Sequence, residues 1–196
     1  MTPGTLYRLG AVTFIVSGLL NIVVGILPSN PAILPKLLNL LGAAGGLLGL
    51  IAVYLHQRVE TGVLGGISYI LAATGLIGIC GFLFTDAFVF SYMSSDQQAI
   101  LLNGPTGMAI FGSVVLYVLG VVLFGAVTIW ANKYPRIAAA LYIIGTLPTL
   151  IALLLPPVVL NITESIASIG VIWIGTTLWR AVAQSAATKT PIITPG

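Results

Sequence analysis

Apolar runs about as long as a membrane is thick alternate along this chain with short breaks of proline, glycine and charge. A helix needs roughly 20 mostly apolar residues to cross a hydrocarbon core of about 30 Å. Segments of that kind lie at 7–27, 36–56, 62–84, 107–131, 136–155 and 160–180. Between them stand Pro28, Pro31 and Pro35, then Glu60 to Gly62, Gly104 and Pro105, Pro135, and finally Pro156 and Pro157. Residues of these types end or kink helices. The pattern predicts an all-α integral membrane protein, one transmembrane domain over 1–196 built as a bundle of six transmembrane helices. Residues 85–106 form an outer interfacial loop in this scheme, and 183–196 a cytoplasmic tail.

Charge placement tests the count independently. With alternating helices, one side receives Arg8, Arg58, Lys133, Arg136, Arg180 and Lys189, and the other receives Lys36 with Asp86, Asp96 and Glu164. Such a bias places both termini in the cytoplasm. Tyr7, Tyr54, Trp130, Tyr134 and Trp179 fall near the same boundary, at the depth where amphipathic rings collect. The first run continues to Leu27 with no small-residue cleavage site after it, so it is expected to be a retained helix.

Composition then narrows the class. Of 196 residues, 58% are hydrophobic and 6% charged, too few charges to cover a water-facing surface. The basic residues are scattered singly, which argues against a nucleic-acid partner. Cys80 is the single cysteine and His56 the single histidine, so no zinc-type cage is expected. No P-loop, dinucleotide fingerprint or nucleophile elbow occurs, and neither an enzyme nor a cofactor is expected.

Polar residues within apolar segments are expensive and therefore candidates for function. Glu164 is the foremost. With the sixth helix starting near Asn161, Asn161 and Glu164 have the spacing of a capping box. Alternatively, Glu164 and Ser168, one turn deeper, line an outward-opening cavity. Asn21, on a face with Gly18 and Gly25, suits an interhelical hydrogen bond or the same cavity. Asn39, near the outer end of the second helix, and Asp86, just beyond the third, complete the ligand-binding candidates. Gly42 and Gly46, Gly45 and Gly49, and Gly62 and Gly66 are spaced for close helix contact. Ser95 to Gln98 resembles a capping box opening a short interfacial helix that acts as a lid; alternatively, the third helix continues beyond the membrane and an ordinary re-entry loop follows.

The stretch Arg8 to Pro28 resembles Arg136 to Pro156: each runs from arginine to proline in 20 steps and places an aromatic (Phe14, Tyr142) six residues in. Asn39 to Arg58 and Asn161 to Arg180 match in the same way, as expected of helical-hairpin repeats. The ends of the helices carry Thr5-Leu6-Tyr7-Arg8-Leu9-Gly10, Tyr134-Pro135-Arg136-Ile137-Ala138-Ala139 and Ile174-Gly175-Thr176-Thr177-Leu178-Trp179. Together these resemble uncharacterised bacterial multipass inner-membrane proteins of the domain-of-unknown-function type. The resemblance implies a bacterial inner membrane and transfers no activity or site residue. Two functions fit: binding or transport of a small hydrophobic or amphiphilic molecule, or an accessory role in a larger respiratory or photosynthetic membrane complex. The expected partners are accordingly membrane lipids, such a ligand, or other membrane subunits.

Overall fold

The structure, a computed structural model, describes residues 3–27 and 33–187. Pro28, Pro31, Lys189 and most of the expected tail lie outside the described residues. Among those described there is no strand. The helices are α1 (Pro3–Ile26), α2 (Ile33–Phe88), α3 (Ser95–Leu102), α4 (Pro105–Ala131), α5 (Arg136–Thr146) and α6 (Pro157–Ala187). Four of them, α1, α2, α4 and α6, are long and apolar enough to cross a membrane.

α2 is two arms, not one rod. Gly62 has φ 55 and ψ −142, a conformation essentially restricted to glycine, and it breaks the helix there. Lys36 Nζ then lies 3.0 Å from Asp86 Oδ1, fifty positions on. A continuous helix would hold those residues about 75 Å apart. The arms 33–61 and 63–88 therefore fold back on one another, and the Tyr54 and Tyr69 rings stack between them at 4.7 Å.

Successive rods pack side by side, α1 on α2, α2 on α4, α4 on α5 and α5 on α6, and α6 returns to α1. Glycines allow the approach. Gly42, Gly45, Gly46 and Gly49 of the first arm face Asn21, Thr13, Ser17 and Phe14 of α1, so both of these spaced pairs serve contacts within the chain. Gly75 and Gly120 meet the backbones of Tyr117 and Ala72, locking the second arm to α4. Gly170 sits where a Cβ would lie 2.5 Å from the Ala138 carbonyl oxygen, bringing α6 against α5. In a lipid setting such contacts supply van der Waals attraction that apolar side chains alone do not.

Three local expectations are corrected. The apolar run 136–155 is not one α-helix: α5 stops at Thr146 and continues as a 3-10 helix, Leu147–Leu154, irregular at Ile151. Pro148 is the cause, since it offers no N–H and crowds the preceding turn. α6 starts at Pro157, a residue favoured in the first helical turn. Asn161 is therefore inside the helix, where its Nδ2 donates to the Gly25 carbonyl at 3.3 Å, and it does not form a capping box with Glu164. The capping box of α3 uses Ser94 and Gln97, one residue earlier than expected.

Arg8, Arg58, Lys133, Arg136 and Arg180 gather at one end of the bundle with the Gly62 break and the α4–α5 turn. Lys133 pairs with Glu60 at 2.8 Å, and Arg8 lies 6.0 Å from the Trp179 ring centre. Tyr134 does not project outward as a boundary ring. It is 3% exposed, its hydroxyl 3.0 Å from His56 Nδ1, and burial holds its phenol well above the ordinary tyrosine range.

Candidate functional site

In its other half the bundle holds a cavity of about 190 Å³. Each wall is one helical stripe, with residues three or four apart sharing a face. α1 contributes Phe14, Ser17 and Asn21; the first arm of α2 contributes Asn39, Ala43 and Gly46; the second arm contributes Leu76, Ile79 and Leu83. Tyr117 of α4, Tyr142, Gly145, Thr146 and Thr149 of the α5 segment, and Glu164, Ala167, Ser168 and Val171 of α6 close the ring.

Four of the five candidate residues thus come together: Asn21, Asn39, Glu164 and Ser168. The fifth, Asp86, stands apart. Its carboxylate is held by Lys36, whose ammonium also donates to the Asp86 carbonyl at 2.9 Å, so it clasps the ends of the two α2 arms. The segment between α2 and α4 also stands apart. Its 3-10 turn (Phe90–Tyr92) packs on α2 and α3 packs on α4, and neither lines the cavity.

Part of the lining is polar and unpaired. The side chains of Ser17, Asn21, Asn39, Thr149, Glu164 and Ser168 make no hydrogen bond or ion pair among the described residues, although Ser17 and Ser168 are 4% and 3% exposed. Buried polar groups ordinarily find partners. Here these groups line the cavity. Glu164 is exposed and is part of the cavity lining.

The floor is aromatic. Phe14 and Tyr142, each six residues after an arginine, meet edge to face at 6.4 Å, and the Tyr142 and Tyr117 hydroxyls lie 3.4 Å apart. Beneath them Leu50, Val53, Val121, Phe124, Ile174 and Leu178 are fully buried. The cavity therefore ends within the bundle.

Sequence reasoning missed Ser17, Thr149 and the two tyrosines. Hydroxyl side chains in helices usually bond back to the carbonyl four residues earlier, so they carry little signal. The available clue was register: Ser17 is one turn from Asn21, and Thr149 lies just past Pro148.

No protein-family model, curated protein or solved structure matches the chain. Among the described residues no three His, Cys, Asp or Glu side chains cluster as a metal site would require.

Proposed function

We propose that this chain is a six-span integral membrane protein of a bacterial inner membrane that binds a small amphiphilic molecule in the cavity without transforming it. The observation that carries this is the convergence of six unpaired polar side chains, on four different elements, upon one void. Leu76, Ile79 and Leu83 of the second α2 arm supply an apolar wall beside the polar ones, as an amphiphile requires. The two arms of α2 and the α5 segment bring the four long helices to six spans. The irregular backbone after Thr146 fits, because non-helical backbone at membrane depth is tolerated where it lines a cavity. The basic end faces the cytoplasm by the positive-inside rule, so the cavity opens outward.

Binding is favoured over passage by the packed core beneath Phe14 and Tyr142, which leaves no inner route. Catalysis is disfavoured by a lining without histidine, cysteine or lysine. Purification of the full chain in mild detergent followed by native mass spectrometry tests the proposal. The wild-type monomer should carry a discrete small-molecule mass, and Glu164→Ala should lose it while keeping its helical content. A stable larger complex with no such mass would make the chain an accessory subunit and overturn the binding role.

A further inference from the structure

The cavity is electrostatically one-sided, and this bears on what enters it. Its lining contains one carboxylate, Glu164, and neither lysine, arginine nor histidine. Lys36, the basic residue at this end of the bundle, is committed to Asp86 at 3.0 Å. The Glu164 carboxyl has no ion-pair partner among the described residues, so the one acidic group of the lining is open to pairing with a cation that enters.

The remaining chemistry sets the shape of the ion. The Asn21 and Asn39 amide oxygens and the Ser17, Ser168 and Thr149 hydroxyls all accept hydrogen bonds. The space is several times the share of one water, about 30 Å³. Leu76, Ile79 and Leu83 offer nothing to a hydrated metal ion but suit a short alkyl chain. We infer that the cavity binds a small organic monocation, a primary alkylammonium whose N–H groups meet Glu164 and the amide and hydroxyl oxygens while its chain lies on the apolar wall. This rests on the binding role proposed above and adds the charge and class of the ligand.

The test reads the sign of the cavity without knowing its natural occupant. In the full chain carrying Cys80→Ala, Ser168→Cys places a thiol in the cavity, with Thr149→Cys as a second position should the first fail to fold. The protein is reconstituted in phosphatidylcholine nanodiscs and labelled with two methanethiosulfonates, one bearing trimethylammonium-ethyl and one sulfonatoethyl. Rates are normalised to those at Asp96→Cys, an exposed position. The cationic reagent should react about tenfold faster than the anionic one, and adding Glu164→Gln should bring the two rates to within about twofold. n-Butylammonium chloride should slow labelling, whereas sodium chloride at equal ionic strength should not.

Equal rates for both reagents before the Glu164 change would overturn the cationic assignment and leave the cavity as a binding site. Equal protection by sodium would overturn the alkylammonium assignment in favour of an inorganic ion. Failure of both reagents on a folded protein whose thiol reacts only after denaturation would close the cavity to ligands, and the binding role would fall with it.

Discussion

Gln57 is fully buried, and its amide is half satisfied. Nε2 donates to Thr128 Oγ1 at 2.9 Å, but Oε1 has no partner among the described residues. A buried unpaired polar atom costs about 1–3 kcal/mol, and removing one partner of a pair exposes the other to the same penalty. Thr128→Val should therefore destabilise the protein by about 1–3 kcal/mol, and Gln57→Met added to it should recover most of that loss. Thermal unfolding in detergent reads both, and a double variant no more stable than the single would show that the amide is not under strain. The same principle made the site partly legible in advance. Asn21, Asn39, Glu164 and Ser168 stood out because polar atoms in an apolar run demand a reason. Asp86 stood out equally, but nothing in the sequence says that Lys36, fifty positions away, comes within 3.0 Å of it. Glu164 could not be told from a cap until the start of α6 was fixed at Pro157.

At the level of elements, hydropathy finds apolar runs well because membrane thickness sets their length, whereas it does not register backbone geometry. Pro148 lies in an unbroken apolar stretch, so the change from α to 3-10 after Thr146 is invisible to it. The break at 60–62 was legible as a gap between runs, but not as a single residue. A Cβ on Gly62 would meet nothing within 4 Å, so replacing this glycine tests conformation alone. Gly62→Ala should cost about 1–3 kcal/mol through its positive φ, with no loss of packing. Thermal unfolding beside Gly81→Ala, a helical glycine also surrounded by open space, separates the two effects. Comparable stability of the two variants would mean that the turn does not depend on glycine.

For the molecule as a whole, the proposed orientation rests on where the basic residues gather, and it is directly measurable. In right-side-out vesicles of the Cys80→Ala chain, a membrane-impermeant maleimide should label Asp96→Cys rapidly. Arg58→Cys should react only after permeabilisation. The reverse pattern would invert the bundle and turn the cavity toward the cytoplasm. The returning contact of α6 with α1 also bears on biogenesis. A chain emerging N-terminus first can pair α1 with the first arm of α2, and the second arm with α4, while later helices are still being made. Glu164 and Ser168, by contrast, reach Asn21 only when α6 packs against α1. A nascent chain arrested before α6 would thus hold a cleft open along one flank, and selectivity for any occupant would be acquired only once α6 is in place.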